Sequence, residues 1–395
     1  MKILFLSRWF PFPADNGSKL RIWNLLQGLG KTHDVTLLSF IDASKTPDLS
    51  ALNKICREVH TYPWREYDPG SRLAKLGLFS SWPRSHVDTY SPEMEQRVRQ
   101  VLAENNFDLI IASQSQMASY SKCFDKKAAL LEEVELGVFR DQYIQARSLP
   151  DRIHYGLTWA KHRYYLSRAL RAFHACTVVS EQELAILSDS VPEFENVAVI
   201  PNCIDLTRYQ NLNCEPRANS LVFTGSFLYQ PNYDAMAWFV KDILPKIQAE
   251  IPDVHLTITG DPGNYLLPPT LGVSQTGFVP DVQPYVASTW ASIVPLRSGG
   301  GTRLKILEAM AMRTPVVTTS KGAEGIDLTH NYSALIADTA DDFAAAVVRL
   351  FSDVSLRERL VENAFEMVRE KYDWASVMPL FLQLVDSTAF NGRKQ

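Results

Sequence analysis

Short apolar runs alternate with longer stretches of helical periodicity along almost the whole chain. Residues 2–7 (KILFLS) are too few for a helix and apolar enough for a strand buried on both faces. A Pro-rich loop follows, then a helix over 18–29 and a second strand over 34–40. Strand, helix, strand in that order predicts a parallel sheet with right-handed crossovers. Further buried strands are expected at 108–112, 128–131, 176–179 and 197–200. Ser180 and Glu183 have the spacing of a capping box before another helix.

Residues 209–219 are polar and show no period, so they read as a linker. A second α/β series begins after them. Strands are expected at 221–224, 254–259, 273–277, 291–294 and 315–318, and helices at 232–250, 281–287 and 304–312. Three more helices close the chain around 340–351, 355–370 and 374–390. The pattern predicts an α/β protein of two Rossmann-like, doubly wound parallel-sheet domains facing a cleft. In such sheets ligands sit beyond the carboxyl ends of the strands, at the point where strand order reverses.

Composition narrows the function. The net charge of −4 argues against a protein that neutralises many nucleic-acid phosphates. Five cysteines, an odd number with no C-x-x-C pair, argue against a disulfide framework or zinc ribbon and for a reducing compartment. The first apolar run is shorter than a signal-peptide core, and no stretch approaches the roughly 18 apolar residues of a membrane span. A soluble cytoplasmic protein is expected. Its oligomeric state is not readable.

The densest chemistry lies at Ser298-Gly299-Gly300-Gly301-Thr302, between a strand and a helix. Glycines let a backbone approach a ligand closely. Thr302 suits an N-cap, and free first-turn N–H groups would face a diphosphate. Arg303 and Lys305 add positive charge, and Arg can grip phosphate oxygens in a fork. Glu308 shares a helix face with Lys305. A carboxylate there suits ribose hydroxyls, the role acidic residues play in dinucleotide folds. Leu304, Leu307 and Ala311 would face the core. A Gly-rich turn before a helix with a solvated charged face would carry the same letters, so the surrounding sequence decides.

That surrounding sequence resembles the C-terminal domain of the family-4 (group 1) glycosyltransferases of GT-B fold, in the subtype with a GGGTRLKILEAMA donor segment. The resemblance rests on Leu307-Glu308-Ala309-Met310-Ala311, Thr314-Pro315-Val316-Val317-Thr318-Thr319 and Gly322-Ala323-Glu324-Gly325. Thr224-Gly225-Ser226 with Pro231-Asn232 is similar to the opening of that domain. Gly277-Phe278-Val279 is similar to the segment that holds the nucleotide base. Ile200-Pro201-Asn202 with Asp205 resembles the interdomain entry, and Lys371-Tyr372-Asp373-Trp374 the final helices that return to the N-terminal domain. The implied domains are 1–208 with a returning helix 375–395 on the acceptor side, the linker 209–219, and 220–374 as donor domain.

The resemblance implies a retaining transfer of a hexose-type sugar from a nucleotide diphosphate sugar (UDP or GDP) to an acceptor hydroxyl in polysaccharide or glycolipid biosynthesis. Arg303 and Lys305 would hold the diphosphate and stabilise the leaving phosphate, and Glu308 would hold the ribose. Gly225, Phe278, Val279, Gly300, Gly301 and Thr302 complete the donor side. The family often has a Glu eight residues before Glu308, where this chain has Gly300. Backbone N–H groups would then serve the sugar end.

In the N-terminal half, Gly17 and Ser18 follow the first strand and can approach a diphosphate, with Ser18 as the helix cap. Gly30-Lys31-Thr32 imitates a P-loop tail, but the first Gly is missing and the segment runs from helix to strand. Glu132, Glu133 and Glu135 stand where many relatives carry a His or Asp. Each is a candidate base or hydrogen-bond partner for the acceptor hydroxyl, and Glu133 is the candidate catalytic one. Gln114 could line the acceptor site. No His cluster or Asp-x-Asp is present, so no metal and no cofactor is expected; the nucleotide sugar is a co-substrate. The acceptor is a carbohydrate, a lipid-linked species or a small molecule. Basic, aromatic stretches at 72–84 and 152–174 suit either peripheral contact with anionic lipid or ordinary packing on the sheet. A nucleotide-sugar 2-epimerase and a non-catalytic nucleotide-sugar binder are the alternatives.

Overall fold

The computed structural model describes residues 1–42, 44, 46–210 and 214–392. The chain divides into two compact units: Met1–Asn202 with the C-terminal segment from Val377, and Cys203–Ser376.

The first unit holds a seven-stranded sheet of β1 (Lys2–Ser7), β2 (Asp34–Asp42), β3 (Glu58–Trp64), β4 (Leu109–Ser113), β5 (Ala129–Val134), β6 (Ala175–Val178) and β7 (Val197–Val199). Its order is β3-β2-β1-β4-β5-β6-β7, with every pairing parallel. Strand order reverses between β1 and β4. The middle strands are apolar on both faces because helices cover both, and Leu4, Leu6, Ile110 and Leu131 are fully buried. Each such side chain contributes roughly 1.5–3 kcal/mol before conformational entropy is set against it.

The second unit holds β8 (Arg217–Thr224), β9 (His255–Thr259), β10 (Val273–Gly277), β11 (Thr289–Val294), β12 (Val316–Thr318) and β13 (Leu335–Ile336). Their order is β10-β9-β8-β11-β12-β13, again parallel, and it reverses between β8 and β11.

Several expectations need correction. β3 was not anticipated; its residues are mostly half-buried and it carries Pro63, as an edge strand tolerates. The single helix expected over 232–250 is broken into Gln230–Trp238, a π-turn Phe239–Ile243 and Leu244–Glu250. Pro245 lies in the first turn of the last piece, where its missing N–H costs nothing. The expected linker 209–219 is partly structured: Tyr209 ends a short 3₁₀ helix, Leu206–Tyr209, and Arg217 opens β8. Residues 211–213 lie outside the described residues. Ser180 caps helix Glu181–Ser190 as expected, but Glu183 does not close a capping box. Its carboxylate instead accepts from the N–H groups of Leu136 (2.8 Å) and Gly137 (3.0 Å).

Candidate functional site

In the second unit, the loops after β8 and β11 flank the point where strand order reverses. Gly225 opens the first; Gly299, Gly300 and Gly301 lie in the second. Gly299 and Gly301 have φ of +97° and +81°, which L side chains rarely adopt. A Cβ on Gly299 would collide with the Tyr229 hydroxyl, whereas one on Gly301 would meet nothing within 4 Å. Gly299 is thus required by its backbone and its neighbour, and Gly301 by its backbone alone. Gly300 N–H donates to the Tyr229 hydroxyl at 3.2 Å. Gly260 is needed for a different approach: a Cβ there would lie 2.5 Å from the Gly225 carbonyl carbon.

The helix after the glycines is Leu304–Ala311, and Arg303, not Thr302, stands at its N-cap position. The Thr302 carbonyl instead accepts from Leu304 N–H (3.1 Å), and the Arg303 carbonyl from Ile306 N–H (2.8 Å). Two of the expected free donors are therefore engaged. The buried stripe also differs from the one expected: it is Ile306, Leu307, Ala309, Met310 and Ala311, with Leu304 partly exposed.

Arg303 is 6 % exposed. Its guanidinium folds back on the loop, donating to the carbonyls of Gly300 and Gly301 and, at 3.0 Å, of Gly299. It clamps the turn. Burial lowers its affinity for a proton, and Tyr229 and Glu324 partly offset that.

Lys305 is the more telling cation. Its ammonium donates to Asn232 Oδ1 at 3.1 Å and lies 4.1 Å from the centre of the Phe223 ring. A Cβ on Gly225 would sit 2.6 Å from its Nζ. No carboxylate is within salt-bridge distance of it among the described residues. Burial, then repulsion from Arg303, pushes the ammonium down to about 7; Glu308 works weakly against them. A cation kept this close to neutrality lacks the anion that would hold its charge.

Asn232 is buried, and its amide also donates to the Ser226 carbonyl at 2.8 Å. Lys305 is therefore aimed by the helix that follows the loop after β8, through a side chain tied back to that loop. Glu308 accepts from the Tyr209 hydroxyl at 3.3 Å, and burial raises its carboxyl above the usual range. Phe278, 77 % exposed, follows Gly277, which has φ +71° and open space where a Cβ would stand. Val279 beside it is partly buried. An exposed ring there offers a face for a planar base.

The first unit carries a separate polar cluster beyond β1, β4 and β5. The cap of helix Gly17–Gly30 is Asn16, whose side chain accepts from Lys19 N–H at 3.0 Å. The expected Ser18 cap is thus corrected. Ser18 lies inside the first turn, and its hydroxyl accepts from the Gln114 amide at 3.3 Å. That amide also donates to Glu133 Oε2 at 3.0 Å. Ser18, Gln114 and Glu133, far apart in sequence, are brought together.

Gln114 and Glu133 both have positive φ, +71° and +59°. β5 shifts register between Leu131 and Val134, a bulge that re-aims Glu133. Its N–H donates to the Thr177 hydroxyl at 2.9 Å. Burial, and then the neighbouring Glu132, push the Glu133 carboxyl up to about 8, against the pull of Arg21. The site therefore favours the protonated carboxyl. Burial also raises Glu135, again opposed by Arg21.

Glu132 does not belong to this face. It is fully buried, with Oε1 on Arg21 Nε at 2.6 Å and Oε2 on the Ser113 hydroxyl at 2.7 Å. Arg21 also donates to the Pro201 carbonyl at 2.9 Å and Asn202 Oδ1 at 3.2 Å. Glu132 anchors this interior network, and its expected acceptor role is withdrawn. Tyr209, Tyr229, Asn232 and Arg21 are the site residues that sequence reasoning missed. Asn232 stood in a quoted motif but carried no assigned role, and Tyr209 lay in the presumed linker.

Residues 218–353 match the family described as glycosyl transferases group 1. The chain has the GT-B fold and carries a group 1 glycosyltransferase domain. Over 391 residues it is 23 % identical to an uncharacterized 44.6 kDa protein in the cps region of Klebsiella pneumoniae, covering 94 % of this chain and 96 % of that one. It is 26 % identical to the phosphatidyl-myo-inositol mannosyltransferase of Mycobacterium leprae, over 77 % of this chain and 80 % of the relative. Anabaena HepE, solved in complex with UDP, superposes with a TM-score of 0.67 at 14 % identity, covering 98 % of this chain and 100 % of HepE. The glycosyltransferase domain contains the glycine loop, Lys305, Glu308 and Asn232 described above.

No helix among the described residues is long and apolar enough to cross a membrane. Helix Leu149–Ala169 exposes Leu149, Ile153 and Leu157, while Lys161 on it donates to the carbonyls of Gly77 and Leu78, both at 2.8 Å.

Proposed function

We propose that this glycosyltransferase moves a hexose-type sugar from a nucleotide diphosphate sugar to an acceptor hydroxyl with retention and without a metal, in polysaccharide or glycolipid assembly. The observation that carries the reading is Lys305. It is a half-buried ammonium aimed by Asn232, without a carboxylate partner among the described residues, at the strand-order reversal of a group 1 domain. A donor diphosphate supplies the missing anion, and Lys305 then stabilises charge developing on the leaving phosphate. Arg303 exchanges loop carbonyls for phosphate oxygens, the ribose bonds Glu308, and the base rests on Phe278 and the Val279 backbone. In the first unit, Gly17 and Ser18 offer N–H groups of a helix start.

No side chain among the described residues is set as a covalent nucleophile, which favours attack on the same face as departure. Glu133, held by Gln114, is the acceptor-side proton carrier, and Glu135 lies beside it. UDP is the first nucleotide to test, since HepE was solved with it; GDP is the second. The exposed Leu149, Ile153 and Leu157, with Arg152 and Arg163 on the same helix, support a peripheral contact with anionic lipid, as a lipid-linked acceptor needs.

A thermal-shift panel with UDP, GDP, ADP and their sugars tests the reading, because a ligand that binds only the folded state raises Tm. The expected result is a shift with one nucleotide set and release of that nucleotide when acceptor is added. An epimerised donor would point to a 2-epimerase. Binding without any product would point to a non-catalytic relative.

A further inference from the structure

The loops after β1, β2 and β3 enclose a cavity of about 600 Å³ in the first unit. Its wall is aromatic: Trp9, Phe10, Phe12, Phe40 and Trp64. Arg8 lies beside two of these rings, which are 6.4 Å apart, its guanidinium carbon 5.0 Å from the centre of Trp9 and 4.8 Å from that of Trp64. Trp9 is itself fixed by Ser7, whose hydroxyl donates to the Trp9 carbonyl at 2.7 Å. Trp64 is braced edge-on by Phe40 at 5.3 Å.

Arg8 lacks a counter-charge. Its Nε is buried with no hydrogen-bond partner, and no carboxylate comes within salt-bridge distance among the described residues. Ring contacts return less to a desolvated guanidinium than a paired anion would. The acids around the cavity are exposed and occupied: Asp15 pairs with Lys19 at 2.7 Å, Asp42 accepts from Ser44 N–H and Asp48 from Ser50 N–H, both at 2.9 Å. Glu66 lies exposed on the rim. Water screens these rim charges far more than it screens the cation at the wall.

We propose that this cavity seats an acidic sugar unit of the acceptor, its carboxylate or phosphate held by Arg8 and its ring stacked on Trp9 and Trp64. This rests on the glycosyltransferase reading. The guanidinium fork suits a carboxylate or phosphate, and indole faces suit the apolar face of a pyranose. The exposed rim carboxylates accept from sugar hydroxyls.

The test titrates the full chain with three disaccharides by calorimetry: glucuronate–glucose, 6-phosphoglucose–glucose and neutral glucose–glucose. At least one acidic ligand is expected to bind about ten- to a hundredfold more tightly than the neutral one, as a charge-assisted pair adds. The tighter of the two acidic ligands names the group. Arg8→Gln removes the preference and leaves the UDP-induced thermal shift unchanged. Equal binding of all three by the wild-type chain, no binding of either acidic ligand, or a preference that survives in Arg8→Gln overturns the inference. The wild-type comparison does not depend on the variant's folding. A chain that prefers the acidic ligand but binds no nucleotide defeats the transfer reading alone. A chain that binds nucleotide without the preference defeats this inference alone.

Discussion

The two units solve a similar problem, holding unusual backbone beyond a reversal of strand order, with opposite residue types. The second unit uses glycine at the positive-φ positions around its site: Gly225, Gly260, Gly277, Gly299 and Gly301. The first uses Gln114 and Glu133. A left-handed conformation costs a residue with a side chain roughly 1–2 kcal/mol, and glycine almost nothing. The first unit bears that cost at two positions whose side chains hydrogen-bond each other. The second site presents backbone and places its functional side chains on a regular helix. The first presents side chains, so glycine cannot serve.

The largest effect that tests this contrast is on Lys305. Lys305→Ala is expected to lower kcat by about 10²–10³-fold, the range for removing one preorganised donor at a developing charge. Turnover measured with saturating donor checks it, and near-normal activity removes Lys305 from the mechanism. Its pH behaviour has a definite sign. The free ammonium loses its proton near 7, and a bound diphosphate raises that value. Nucleotide affinity is then full below about 7 and declines as pH rises toward the bound value. Calorimetry in buffers of different ionisation enthalpy should detect proton uptake on binding. Lys305→Met should show none.

Next come the glycines. Gly299→Ala meets both a positive φ and the Tyr229 hydroxyl, while Gly301→Ala meets only the φ. Gly301→Ala should cost about 1–2 kcal/mol, and Gly299→Ala more. Tyr229→Phe in the Gly299→Ala background should recover part of the excess, and denaturant midpoints report each step. Equal costs at the two glycines would mean that contact with Tyr229 does not matter.

The glycine loop was legible in the sequence because a local letter pattern encodes it: three glycines, then Arg303 at the helix start and Lys305 and Glu308 three apart on the helix. The Ser18–Gln114–Glu133 cluster was legible only as separate candidates. What joins them is the β1–β4–β5 neighbourhood and a bulge after Leu131, and neither leaves a periodic mark. Glu132 shows the limit most clearly. It adjoins Glu133 in an acidic run, yet one residue of displacement turns it onto Arg21, 111 positions away. Asn16 capped the first helix in place of Ser18 because both residue types are good caps and the chain could start its helix at either. β3 was missed because its residues are half-buried and an edge strand lacks the apolar run that marks the centre of the sheet.

The carboxyl of Glu133 gives a subtler test of the same contrast. Its folded value, near 8, lies above the ordinary carboxylate range, so the folded state favours the protonated form. The stability this contributes is fully present below about 4.5 and is lost as pH rises through 8. Glu133→Gln keeps a neutral group of similar shape. It should leave Tm unchanged at pH 5 and raise it at pH 9, by about 2–4 °C for each kcal/mol recovered. If Glu133 carries the acceptor proton, the wild-type rate should also climb with pH through about 8 and that limb should vanish in the variant. A variant that gains stability at pH 9 but keeps the limb would leave Glu133 as structural strain without a part in transfer.

The smallest expected change in stability comes from Gln114→Gly. Relief of the positive φ, worth roughly 1–2 kcal/mol, is offset by the flexibility glycine adds to the unfolded chain and by the lost amide bonds to Ser18 and Glu133. The denaturant midpoint should therefore scarcely move. Turnover should still fall, because Glu133 loses the amide that holds its carboxyl. A Gln114→Ala variant separates the two contributions, since it removes the amide and keeps the strain. If the side chain is what the strained backbone exists to present, both variants lose activity alike while only Gln114→Ala loses stability. If Gln114→Gly retains full activity, the positive φ at 114 serves the bend of the loop after β4, and the first unit is no different in principle from the glycine-built second.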